Sequence, residues 1–249
     1  MKPQYLVLDL ETVLDTSLPP PRKRKDGSDS FPAAPYHQIA VMGAALLDAE
    51  CRLRNIWIVG EGRDEFASLT ALVAFLNARF SEGGEMSVVS WNGRGFDLPV
   101  IVARCLHHGL AFPWYYQQRD TRYRYSTEGH IDLMDLLADY GATRAYSLDL
   151  AAKLIGMPGK LDCIGADVQA MIDAGEIEQV RAYCMQDVVQ TAALFLRVQL
   201  LRGQLAPSGY TEAMEGLLAK IEGEPRLAPL LPLINRERLI PRAGIPVAA

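Results

Sequence analysis

Residues 5–15 read YLVLDLETVLD, a run of strand-forming side chains with two carboxylates at its centre. Leucine- and valine-rich, without a breaker, the segment predicts a buried strand over 4–14. Side chains alternate across a strand, so Asp9 and Glu11 share one face while Leu8 and Leu10 take the other. Two like charges on one face repel, and burying either without a counter-charge is costly. The fold must therefore leave the pair at a solvated strand end or set it against a cation. A divalent metal with hard oxygen ligands meets the second requirement.

The chain has 249 residues, which suits one large domain or a domain with an appendage. A hydrophobic share of 49% supports a sizeable core. A formal net charge of −5 argues against a general electrostatic clamp on nucleic acid, though not against local contact with it. Cys51, Cys105, Cys163 and Cys184 form no C-x-x-C pair, which removes zinc-ribbon spacing and predicts reduced, mostly buried thiols. No segment reaches the roughly 18–20 apolar residues of a membrane span, and no signal-peptide pattern precedes the first strand. A cytoplasmic protein without membrane contact is the expectation.

Further strands are predicted at 37–48, 52–62 and 86–93, and helical periodicity at 65–80 and 97–110. Residues 16–35, rich in proline, serine and charge, read as a long loop, and 114–129 as an aromatic, basic connection. Residues 130–141 begin as a short strand and continue as a helix. Residues 147–159 form a helix capped by Ser147, and 165–203 are helical with a break at DAGE. The order predicts an α/β fold with a mixed sheet.

Two more acidic positions add weight to the first pair. Asp97 follows the turn WNGRGF at a helix start, where it serves as an N-cap or as a ligand. Tyr183 and Asp187 stand four apart on a helix and so share a face, as a surface pair or as part of a site. The residues alone leave these alternatives open. Neither a P-loop nor a dinucleotide fingerprint is present.

Taken in order, Asp-x-Glu, Asn-x-x-x-Phe-Asp and Tyr-x-x-x-Asp resemble the DEDD superfamily of 3′–5′ exonucleases, with LDLET, WNGRGFDLPVI and HIDLMDLL carrying the likeness over about residues 4–200. Ala182 stands where the histidine variant carries its histidine and Tyr183 fills the tyrosine position, so the chain resembles the tyrosine variant, DEDDy. The specific likeness is to proofreading domains of family B DNA polymerases and to stand-alone exonucleases related to them. The resemblance implies an RNase H-like α/β fold, a central mixed sheet of about five strands with helices on both faces. It implies hydrolysis of terminal phosphodiesters at single-stranded 3′ ends, DNA favoured over RNA, releasing 5′-mononucleotides. It implies two divalent cations, Mg2+ or Mn2+, on Asp9, Glu11, Asp97 and Asp187, with Tyr183 orienting or deprotonating the attacking water. Leu10, Thr12, Asn92 and Phe96 would touch the terminal nucleotide. On this reading residues 1–203 are the exonuclease domain, and 204–249 a helical, proline-rich extension that packs on it or binds a protein partner.

The other polar features are read more plainly. Asp132 and Asp135 support a helix start, and His37, His107, His108 and His130 take surface or capping positions. The basic stretches PRKRK (21–25) and RDTRYRY (119–125) are candidates for phosphate contact, with Tyr115, Tyr116, Tyr123 and Tyr125 able to stack on bases. The alternative to the enzyme is a non-catalytic nucleic-acid-binding module on the same fold. A glycosidase is disfavoured because Asp9 and Glu11 lie too close on one strand.

Overall fold

A computed structural model describes residues 4–21, 31–83, 86–126, 128–161 and 168–240. The central strand is the carboxylate-bearing one, β1 (Gln4–Leu14). It pairs antiparallel with β2 (His37–Leu47), which pairs antiparallel with β3 (Leu53–Ile58). Helix α1 (Glu65–Ser81), capped by the Asp64 carboxylate on the Ala67 N–H at 2.8 Å, crosses over to β4 (Met86–Ser90). β4 lies parallel to β1 on its other side, and β5 (His130–Asp132) lies parallel to β4, which gives the order β3-β2-β1-β4-β5. Between β4 and β5 run α2 (Asp97–His108) and α3 (Pro113–Gln117). After β5 come α4 (Leu133–Leu137), α5 (Leu148–Ile155), α6 (Val168–Asp173), α7 (Ile177–Leu201), α8 (Pro207–Glu222) and α9 (Arg236–Leu239).

Alternation along β1 divides the core into two layers. Leu6, Leu8 and Leu10 pack with Leu69, Leu98, Ile101 and Trp114 from α1, α2 and α3. Val7 joins Val89 and Ile131 beneath α5, α7 and α8. The sheet is thus mixed, five-stranded and covered on both faces, as the sequence predicts. The stretch 114–129, expected to be only a connection, holds α3. Five residues are too short to show periodicity, but Pro113 presets the first turn and the buried Trp114 indole donates to the Met86 carbonyl at 3.4 Å. Most of the basic stretch at 21–25, Cys163, and the last nine residues lie outside the described residues. Among the described residues no helix is long and apolar enough to cross a membrane.

The approach of α7 to the sheet sets the site. Gly43 stands opposite Asp9 in the β1–β2 register. A Cβ there would lie 2.8 Å from Val188 Cγ2 and 2.9 Å from Cys184 Sγ, so only glycine lets the helix settle against β1 and β2. Gly43→Ala is expected to destabilise the protein by about 1–3 kcal/mol through overpacking. A urea unfolding curve with an unchanged midpoint would refute this account of the contact.

Candidate active site

Asp9 and Glu11 sit in the middle of β1, on the face covered by α7, just before a bulge between Glu11 and Thr12. The pairing of β1 with β4 ends at Val7–Val89, so the Leu10 N–H lies past the β4 ladder. It donates instead to Asp97 Oδ1 at 3.1 Å, which joins the first residue of α2 to the middle of β1. The N-cap position of α2 is Phe96, so Asp97 does not serve as the cap.

The turn between β4 and α2 is tightly specified. A Cβ at Gly93 would fall 2.1 Å from Ser90 Oγ and 3.2 Å from Asp97 Oδ2, and Asn92 has φ +62°. Asp132, at the end of β5, accepts the N–H groups of Asn92 at 3.0 Å and Arg94 at 2.9 Å. It also caps α4 through the N–H of Met134 at 3.1 Å. Asp132 therefore supports a helix start, as expected, and braces the turn as well. Asp135 pairs with Arg124 at 2.7 Å. His130 is fully buried and bonded to Ser90 at 2.8 Å; burial pushes its pKa down to about 3.

Helix α7 brings the last group. Tyr183 and Asp187 lie one turn apart, both buried, and the Tyr183 hydroxyl bonds to the Asp187 carboxylate. Between them Cys184 places its sulfur 3.5 Å from Asp9 Oδ2. Ligating atoms of Asp9, Glu11 and Cys184 all lie within 4.8 Å of one another.

Burial raises the pKa of every carboxyl group in the cluster, and repulsion between neighbours adds to it at Asp9 and Glu11. Desolvation, then repulsion from Glu11, Asp187 and Asp97, drives Asp9 well above the usual carboxylate range. Glu11 rises for the same reasons, partly offset by Lys160. Burial lifts Asp97 to about 7 even though it accepts N–H donors, and lifts Asp187 to about 6 against the pull of Lys160 and Tyr183.

Lys160 was not singled out from sequence. Its ammonium bonds the Tyr183 hydroxyl, and it reaches the cluster through the turn after α5. Gly159, at φ +76°, leaves room there for Asp149, whose carboxylate holds the Lys160 N–H at 2.8 Å. The legible signal was the stretch GMPGK, a glycine–proline turn that ends in a cation.

The cluster opens into a cleft of about 430 Å³ lined by Asp9, Leu10, Glu11, Thr12, Phe96, Lys160, Tyr183 and Asp187, among others. Asn92 does not line it; it stays in the turn held by Asp132. Phe96 does, and its ring meets His37 edge-on at 4.9 Å and Phe31 at 5.7 Å. His37, expected at a surface or capping position, is buried at the start of β2 because Thr12 Oγ1 at 2.9 Å and the Pro32 carbonyl at 3.1 Å satisfy both ring nitrogens. Phe31 is 75% exposed at the cleft mouth. Neither Phe31 nor His37 belongs to a spaced motif, so only the fold reveals their place.

No curated protein matches this sequence. Among solved structures, a family B DNA polymerase from the archaeon Pyrobaculum calidifontis shares the fold at 17% identity and TM-score 0.54, over 84% of this chain and 25% of the polymerase. Escherichia coli Exonuclease I in complex with a dT13 oligonucleotide aligns at 16% identity and TM-score 0.41, over 87% of this chain and 46% of that one. The chain thus spans a quarter of the polymerase's length and under half of the exonuclease's. A family model described as a predicted 3′–5′ exonuclease related to the exonuclease domain of PolB matches residues 29–229. That match includes Asn92, Phe96, Asp97, Tyr183 and Asp187 and begins after the two carboxylates of β1. With four-fifths of its residues matched, the chain belongs to the family of predicted 3′–5′ exonucleases related to the exonuclease domain of PolB.

Proposed function

We propose that this cleft hydrolyses the terminal phosphodiester at the 3′ end of a single strand, DNA in preference to RNA, and releases 5′-mononucleotides. The observation that supports the reading is the meeting of Asp9, Glu11, Asp97 and Asp187 from β1, α2 and α7 beside a tyrosine–lysine pair. Three buried carboxylates and the half-buried Asp9 stay ionised together only against positive charge, and the ammonium of Lys160 alone falls short of that. Hard oxygen donors so arranged fit Mg2+ or Mn2+. We assign Asp9, Glu11, Asp97 and Asp187 to hold two such cations, in the DEDDy manner. When bound, divalent cations acidify water and offset charge on phosphoryl oxygens.

The chain's own side chains do the rest. β1, paired with β2 along its length and bonded to Asp97 through the Leu10 N–H, is the rigid platform for the first two carboxylates. Leu10 and Thr12 line the cleft floor under the terminal nucleotide, and Phe96 offers its ring to the base. Lys160 donates to the Tyr183 oxygen, so the phenol proton points at Asp187 and the hydroxyl is held in one direction to orient the attacking water. Residues 1–203 carry the chemistry in this reading. Residues 204–240 brace it, α8 and the turn Pro225–Leu233 packing on α7 and burying Tyr210, Leu227 and Leu230.

A 5′-labelled single strand incubated with Mg2+ or Mn2+ tests the proposal. The expected result is a ladder shortened from the 3′ end that disappears on addition of a chelator. A strand that is bound but left intact would make the protein a binding module.

The raised carboxyl values give a second test. An unfolded chain titrates its aspartates near pH ~4. Between that value and about 7 the folded, cation-free protein holds more protons than the unfolded chain. Its stability from these groups is therefore present at low pH and lost as pH rises through that window. Cations bind the ionised form, so the gain in Tm on adding Mg2+ is expected to widen from about pH 5 to about pH 8. A gain that is the same across that range would break the link between the cluster and the metal.

A further inference from the structure

The segment Thr121–Gly129 lies outside the cleft but is tied to its edge. Arg94, in the turn that carries Phe96 and Asp97, donates to the carbonyls of Arg122 at 3.2 Å and Tyr123 at 3.5 Å. The segment's ends close on each other: a Cβ at Gly129, φ +69°, would fall 2.7 Å from the Thr121 backbone nitrogen. Between these anchors Arg122, Tyr123, Arg124 and Tyr125 are all exposed. Tyr123 and Tyr125 meet edge-on at 5.7 Å, and Tyr125 meets Tyr140 at 5.0 Å. The Arg122 guanidinium lies 5.2 Å over the Tyr116 ring.

Apolar rings left 58% and 56% exposed, at Tyr123 and Tyr125, contribute little to a core. Held by backbone anchors and interleaved with guanidinium groups, they form a preorganised surface for stacked bases and the phosphates between them. Arg124 is paired with Asp135 at 2.7 Å, so the positive charge that the patch offers a phosphate is that of Arg122. It also continues directly from the turn that enters the cleft.

We propose that this surface is the track for the single strand upstream of the scissile bond, with bases stacking on Tyr123 and Tyr125 and a phosphate paired with Arg122. The proposal rests on the exonuclease reading of the cleft and sets its substrate as an extended single strand of several nucleotides.

Fluorescence anisotropy with a labelled thymidylate oligomer of about fifteen nucleotides, in Ca2+, reads the track independently of cleavage. Each of Tyr123→Ala and Tyr125→Ala is expected to weaken binding about tenfold, the scale of one base–aromatic stack. Tyr123→Phe and Tyr125→Phe keep wild-type affinity, which separates stacking from misfolding. A thymidylate trimer, too short to reach the patch, is bound equally by all variants. Arg122→Gln lowers the slope of log affinity against log salt by about 0.7, one phosphate contact on a single strand. Alanine variants that bind the long oligomer as the wild type does would overturn the track, even if cleavage proceeds and the active-site reading stands. Tyrosine-dependent binding by a wild type that cuts no strand would uphold the track and overturn the exonuclease reading.

Discussion

Replacing Asp9 by asparagine is expected to abolish cleavage and to stabilise the cation-free protein at the same time. Asp9 is repelled by Glu11, Asp187 and Asp97 in a desolvated pocket, and its pKa is driven well above the ordinary range. The neutral amide has nearly the same shape and none of the repulsion. The cation-free protein should gain on the order of 1 kcal/mol, a rise in Tm of about 2–4 °C for a chain of this size. Activity should fall on the order of a thousandfold, the scale of losing one preorganised transition-state contact. Thermal melts in chelator, paired with single-turnover rates on a 5′-labelled strand, check both halves. A variant that is destabilised, or that keeps its rate, would mean that the carboxylate contributes packing and not a charge awaiting a cation.

Lys160→Met is expected to move stability the other way. Lys160 lowers the pKa of both Glu11 and Asp187, so its removal leaves those carboxylates with less compensation. The cation-free protein loses stability near neutral pH. The rate falls by about ten- to a hundredfold because the Tyr183 hydroxyl loses the donor that sets its direction. Tyr183→Phe should cost a similar factor, and the double variant little more than either alone, since the two act as one unit. The sign of the Tm change separates the partners: loss of the lysine destabilises, whereas loss of a carboxylate stabilises. Multiplicative rate losses in the double variant would show that lysine and tyrosine act independently.

Much of the site was legible before any coordinates. The apolar run around Asp9 and Glu11 announced a central strand, and alternation alone put both carboxylates on one face. The four-residue step from Tyr183 to Asp187 announced a shared helix face. Ser147 and the DAGE break marked helix ends within a residue or two of where they fall. These are local properties, decided by periodicity and by capping chemistry that neighbours in sequence supply to one another.

What local pattern does not contain is which distant groups meet. The Leu10 N–H finds Asp97 across 87 residues because the β4 ladder stops short of it. Lys160 reaches Tyr183 because Gly159 turns the chain toward α7 and Asp149 holds it there. His37 becomes part of the cleft wall only because β2 starts beside Thr12. The sequence by itself determined the sheet, its acidic central strand and the order of the motifs, since each follows from short-range preference. Only the tertiary structure decided that Asp9, Glu11 and Asp187 line one cleft with a lysine and an aromatic rim, with Asp97 bonded to the Leu10 N–H beside it, because that depends on strand register, on where a ladder ends, and on the room a single glycine at position 43 leaves for a helix.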